Sequence, residues 1–119
     1  MLVIRTKRVY EAVHPEDGTR VLVDRIWPRG MTKDDVRADL WLKDVAPSSD
    51  LRQWFHHDRS KWEAFKGRYF LELDARPEAV GRLLDQARRG RLTLLFSARD
   101  TGCNHALALK EYLLSTLET

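Results

Sequence analysis

The segment Val21-Leu22-Val23-Asp24-Arg25-Ile26-Trp27-Pro28-Arg29-Gly30 passes from an apolar run into an acid, two arginines, an indole, a proline and a glycine. Val21, Leu22 and Val23 are the β-branched or bulky residues that suit a buried strand, whereas Pro28 and Gly30 turn a chain out of a sheet. The segment therefore reads as a strand, Val21 to Asp24, that delivers a polar loop at its carboxyl end. In α/β proteins ligand chemistry gathers at such strand ends.

Working outward, Leu2 to Val9 reads as a first strand, and Glu11 to Thr19, with Pro15 and Asp17-Gly18, as a surface loop. Thr32 followed by Lys33, Asp34 and Asp35 has a capping hydroxyl and first-turn acids, so a short helix is predicted over 33–38. Leu40 to Leu42 forms a brief extended piece. Ser48-Ser49-Asp50 precedes Leu51, Trp54 and Phe55, one helical face that ends near His56-His57. Ser60 reads as the cap of a further helix, in which Trp62, Phe65, Tyr69 and Leu73 recur at spacings of three and four. Pro77 opens another helix, with Val80, Leu83, Leu84 and Ala87 inward, and Gly90 stops it. Leu92 to Phe96 is the most strand-like run after the opening one, and a last helix runs from about Cys103 to Leu117. Strand, strand, helices, strand and helix, in that order, predict a single α/β domain over 1–119. Its architecture is a small, mostly parallel sheet flanked by helices in a three-layer α/β/α sandwich.

With 119 residues, 43% of them hydrophobic, the chain suffices for one ordinary core that buries roughly two thirds of the unfolded surface. Its apolar runs fall far short of the roughly 20 residues a bilayer span needs. Met1 to Ile4 is followed at once by Arg5, Lys7 and Arg8 without a signal-peptide pattern, so a cytoplasmic location with no membrane partner is expected. The single cysteine, Cys103, excludes an internal disulfide and a structural zinc held by several thiolates. Of 21 basic residues 15 are arginine, which favours bidentate contacts to carboxylate or phosphate. The net charge is only +3, and 18 acids are interleaved with the bases, so no extended single-sign face of the nucleic-acid-binding kind is visible.

A parallel sheet ends all its strands at one edge. Asp24 and Arg25, after the second strand, are therefore expected near Ser97, Arg99 and Asp100, after the last. Ser97-Ala98-Arg99-Asp100-Thr101-Gly102 lies between a buried strand and a helix whose unpaired amides attract an anion. The Walker and dinucleotide fingerprints are both absent, so a nucleotide is one candidate among several anions. The competing structural reading is an internal Asp24–Arg99 ion pair tying two loops together.

VLVDRIWPRG, Trp41-Leu42-Lys43 leading to Ala46-Pro47-Ser48, LRQWFHHD and LTLLFSARDTGCNHALALKEYL stand in this order along nearly the whole chain. Together they resemble the short, YeaO-like branch of the domain-of-unknown-function 488 family. The resemblance implies the α/β fold and no assigned activity. It marks Asp24, Arg25, Trp27, Pro28, Arg29, Gly30, Lys43, Pro47, Ser48, Trp54, Phe55, His56, Ser97, Asn104 and Ala106 as pattern positions. Longer relatives look like carrying a Cys-His-Arg segment where this chain has Cys103-Asn104-His105, followed by Ala106 in place of arginine. That arginine's role does not carry over.

The reading so assembled is a cleft for a small anionic metabolite or nucleotide, with an enzyme and a simple binding domain both open and no cofactor indicated. Arg25, Arg29 and Arg99 would hold the anion. Asp24 would orient an arginine or act as a general base, His56 would transfer protons, Ser97 and Asn104 would supply hydrogen bonds, and Trp27 would wall the pocket or pack. Cys103 reads either as a helix-start nucleophile or as a small buried hydrophobe. Adjacent helical side chains diverge by about 100°, which argues against a shared metal at His56 and His57. The alternative is a non-enzymatic module binding nucleic acid or protein through the Trp27 and arginine surface, for which a pI near 9.2 speaks.

Overall fold

The computed structural model describes residues 2–117. Its four strands are β1 (Ile4–Arg8), β2 (Thr19–Leu22), β3 (Leu40–Trp41) and β4 (Leu92–Phe96). The helices are α1 (Lys33–Val36), α2 (Ser49–Phe55), α3 (Trp62–Asp74), α4 (Pro77–Arg89) and α5 (His105–Leu117). Every strand pairing is parallel, in the order β1-β4-β2-β3. The last strand is thus inserted between the first two, with Leu92 opposite both Ile4 and Thr19. All five residues of β4 are buried, as a central strand covered on both faces requires.

Side-chain alternation sorts two unequal cores. Ile4, Val21, Val23, Leu92, Leu94 and Phe96 face Phe65, Tyr69, Leu73, Leu83, Leu109 and Leu113 of α3, α4 and α5. On the opposite face Val9, Leu22 and Leu95 meet only Val36 of α1, with Trp27, Met31 and Ala38 packed around them. The sandwich therefore has three layers, one of them a single helical turn and its flanking loops. Gly18 permits the turn before β2. Its φ is +65°, and a Cβ there would lie 2.3 Å from the Arg91 carbonyl oxygen.

Several element ends differ from the sequence reading for local reasons. The second strand runs Thr19–Leu22, because its pairing with β3 stops at Leu22 opposite Trp41. The Val23 amide still donates to Leu95 O at 3.1 Å, and Asp24 falls beyond the ladder. Helix α1 ends at Val36, since Arg37 adopts a left-handed conformation. Asp58, not Ser60, caps the turn that leads into α3; the Ser60 amide and hydroxyl both donate to Asp58 Oδ1. Asn104 caps α5 by accepting from the Leu107 amide, so that helix begins at His105 rather than Cys103. Ser48 and Pro77 start α2 and α4 as read from the sequence.

The order of strands creates the site. From β2 the chain leaves toward α1 on the small-core face; from the adjacent β4 it leaves toward α5, which packs on β1 and β4 on the large-core face. Two neighbouring strands whose connections depart in opposite directions open a crevice at their carboxyl ends. Among the described residues no helix is long and apolar enough to cross a membrane.

Candidate functional site

A cavity of about 520 Å³ occupies this crevice. Its lining comes from the β2 loop (Asp24 to Arg29), the segment before α2 (Ala46, Pro47), the end of α2 and the turn after it (Arg52, Gln53, Phe55, His56, His57) and the β4–α5 connection (Ser97, Ala98, Cys103 to His105), with Tyr10 and Phe65 completing it. The expected meeting of the two distant motifs thus occurs.

Asp24 is its hinge. Oδ2 accepts from the Ser97 amide at 3.0 Å and from the Ser97 hydroxyl at 2.7 Å, tying the end of β2 to the end of β4. The Asp24 carbonyl accepts from the Trp41 indole at 2.7 Å, which fixes the backbone as well. His105 Nε2 lies 3.0 Å from Oδ1 and 3.1 Å from Val23 O. Both neighbours are acceptors, so Nε2 carries a hydrogen. That hydrogen lies between the carbonyl and Oδ1, so it is shared and Oδ1 has no well-aligned bond of its own. Burial of Asp24 opposes its ionisation, yet His105 and the two Ser97 bonds outweigh it and hold the carboxyl below the usual carboxylate range. The side chain paired with Asp24 Oδ1 is therefore His105. Arg99 is exposed, lies outside the cavity lining and makes no ion pair among the described residues, so the Asp24–Arg99 pair is not formed.

The arginines divide. Arg25 reaches only the Ala46 carbonyl, at 3.5 Å, and Arg52 only the Ser49 hydroxyl, at 3.4 Å, while the Nε of each is buried without a partner. Among the described residues three side-chain polar atoms are buried without a well-formed hydrogen bond: Arg25 Nε, Arg52 Nε and Asp24 Oδ1, the last of which has only the shared His105 hydrogen. All three residues line this one cavity. Arg29 is exposed at the rim, where its carbonyl accepts from the Tyr10 hydroxyl at 3.2 Å. Trp27 donates its indole N–H to Met31 O at 2.6 Å and packs edge-on to Trp41, with centroids 5.2 Å apart. It is both wall and packing.

The remaining walls are braced from outside. Tyr69 donates to Val45 O at 2.5 Å, and Arg76 donates to Asp44 O at 2.8 Å and Ala46 O at 2.6 Å, fixing the segment before Pro47. Arg8 donates to Ala98 O at 2.9 Å and Ser97 O at 3.3 Å. Asp100 forms a bidentate pair with Arg59 and accepts from the Gly102 and Cys103 amides, holding the turn into α5. Asn104 spends its oxygen on the α5 cap and one N–H on Asp100 O. Cys103 is buried.

His56 and His57 both line the cavity, contrary to the divergence expected of helical neighbours. The chain leaves α2 through two consecutive left-handed residues, with φ of 42° and 55°, so helical spacing no longer applies. Such backbone is uncommon outside glycine and clusters at functional sites. Among the described residues no group of three or more His, Cys, Asp and Glu side chains is placed to hold a metal ion. Sequence reasoning missed Arg52 and did not assign His105 to the cleft. Arg52 sits on the polar side of α2 one turn before His56, and His105 lies in the first turn of α5 at a strand-end loop; those positions were the available signals.

No solved structure matches the chain significantly. It is 44% identical over 112 residues to the uncharacterized protein YeaO of Escherichia coli (strain K12), covering 94% of this chain and 97% of that protein. It is also 44% identical over 110 residues to the uncharacterized protein Rv3073c of Mycobacterium tuberculosis (strain ATCC 25618 / H37Rv), covering 92% of each. The profile described as the inactive DUF488-N3 subclade matches residues 3–119. With near-complete coverage by that profile, the chain belongs to the inactive DUF488-N3 subclade of the DUF488 family.

Proposed function

We propose that the crevice binds a small anionic metabolite or nucleotide, and that the protein holds this ligand rather than converting it. One observation carries the reading: Arg25 and Arg52, the two arginines whose Nε is buried without a partner among the described residues, line the same cavity. Each guanidinium makes only one long bond to protein, at 3.5 and 3.4 Å, so an anion in the cavity supplies the strong charged acceptor that the fold leaves out. The volume of about 520 Å³ suits a metabolite better than a lone ion. Arg25 and Arg52 hold the anion, with Arg29 at the rim. The description of the subclade as inactive favours holding over turnover. In a binding cleft Asp24, with Ser97 and His105, acts as a fixed hydrogen-bonding wall, and His56 as a polar wall.

Thermal unfolding in increasing orthophosphate, pyrophosphate or nucleoside monophosphate tests this. Tm is expected to rise with concentration, as it must for a ligand that binds only the folded state, and the rise is expected to vanish in the Arg25→Ala/Arg52→Ala double variant. A wild-type Tm indifferent to all three anions overturns the proposal. Salt-dependent retention on single-stranded DNA, lost in Arg25→Ala/Arg29→Ala, would instead favour the nucleic-acid-binding module. The bonded indole of Trp27 speaks against that alternative.

A further inference from the structure

Resting on the anion-cleft reading, we propose that the cleft is a two-tier diphosphate site. Arg25 and Arg52 take one phosphate at the inner tier, and Arg29, His56 and His57 take the second at the rim. The ligand class is then a diphosphate, free or carried on a nucleoside.

The inference starts from an imbalance of charge. Three arginines and two exposed histidines line the cavity against a single acid, Asp24. That acid is spent inside the protein: Oδ2 accepts twice from Ser97, and Oδ1 faces the His105 ring N–H at 3.0 Å. The acids next to the lining in sequence are outside it and engaged elsewhere, Glu11 with the Arg8 amide, Asp58 with Ser60 and Asp100 with Arg59. A ligand therefore meets three guanidinium charges and no carboxylate within its reach. A phosphate monoester carries about 1.5–2 negative charges at neutral pH and leaves that total in excess, whereas the second phosphoryl group of a diphosphate adds at least about one more.

Burial divides the cleft's donors into two levels. Arg25 and Arg52 are partly buried, and each guanidinium makes one long bond, at 3.5 and 3.4 Å. Arg29, His56 and His57 are exposed, and their side chains make no hydrogen bond or ion pair among the described residues. Both histidines reach the cavity because they are consecutive left-handed residues, with φ of 42° and 55°. Such backbone is unfavourable for any residue but glycine. Neither ring recovers that cost through polar bonds within the protein, since their contacts are ring packing with Phe55 and with each other. Each imidazole donates one hydrogen when neutral and two when protonated, which suits the oxygens of an outer phosphate.

Calorimetric titration of the full chain at one fixed salt concentration tests this with pyrophosphate against orthophosphate and ADP against AMP. Each diphosphate is expected to bind at least about tenfold tighter than its monophosphate partner, the worth of one added hydrogen bond between charged groups. In Arg29→Ala/His56→Gly/His57→Gly, where glycine suits the left-handed backbone, that ratio is expected to fall to within about threefold while orthophosphate affinity holds. Either ranking of pyrophosphate and ADP supports the class, and the ranking tells which source is preferred. Equal affinity within either wild-type pair, with orthophosphate still bound, overturns the diphosphate site alone, and so does a preference that survives intact in the rim variant. Failure of every phosphate to bind overturns the cleft reading with it. The wild-type pairs carry the test even if the rim variant fails to fold.

Discussion

Two clusters of arginine and aspartate lie a few residues apart in this chain and differ in one respect. At the start of β2, Arg20 donates to Arg37 O, Val36 O and Asp17, while Asp17 also accepts from Lys7 at 3.1 Å and from the His14 amide. Arg20 and Asp17 are each 4% exposed, and every charged atom there has a protein partner. At the other end of that strand, Asp24 and Arg25, with Arg52 of α2 beside them, each keep one buried atom without a well-formed hydrogen bond. The first cluster is closed on itself and secures the fold. The second leaves its arginines short of acceptors beside a cavity, and that is what separates a structural ion network from a candidate ligand site.

Mutation should split the clusters cleanly. Asp17→Ala leaves Arg20 buried without its counter-ion and is expected to cost about 3–5 kcal/mol of stability in urea unfolding followed by tryptophan fluorescence. Arg25→Ala and Arg52→Ala are each expected to leave stability within about 1 kcal/mol of wild type, because no protein acceptor is orphaned. Each should instead weaken anion binding by about 1.5–3 kcal/mol in calorimetric titration. A large stability loss in these two variants with no change in binding would erase the distinction.

Much of this contrast lay beyond sequence reading. Leu92–Phe96, the stripe Phe65-Tyr69-Leu73 and the strand end at Asp24 were legible because burial imposes local patterns of residue type. That Asp24 meets Ser97 followed from one non-local rule, the shared edge of parallel strands. The insertion of β4 between β1 and β2 leaves no local trace, and with it went the lopsided layering. Arg20 and Arg25 are five positions apart and indistinguishable as letters; only the fold decides which is satisfied. Arg99 shows the converse, since its place beside Ser97 suggested a ligand contact that its exposed position does not make.

Acid sharpens the comparison further. Burial opposes the ionisation of Asp17, but the His14 amide, Lys7 and Arg20 more than offset it, so its pKa lies below the ordinary value of 3.8, as that of Asp24 also does. A carboxyl depressed in the folded state contributes stability that is fully present above the unfolded pKa and is lost as pH falls through the folded one. Urea midpoints are expected to hold at mildly acidic pH and fall steeply below about pH 4. The fall should be shallower in both Asp17→Asn and Asp24→Asn. An acid limb unchanged in both variants would mean that neither carboxylate is held ionised by its partners.

The smallest expected effect belongs to Arg99→Ala, which should change stability by less than about 0.5 kcal/mol and leave anion affinity within about twofold. A larger loss of affinity would return Arg99 to the site.

The most direct test titrates AMP into the wild type, the Arg25→Ala/Arg52→Ala double variant and Arg99→Ala at one fixed salt concentration. Saturable one-to-one binding by the wild type and Arg99→Ala, abolished in a double variant that still unfolds cooperatively, is the predicted result. A folded double variant that binds AMP as tightly as the wild type would contradict the claim that the open arginines make the site.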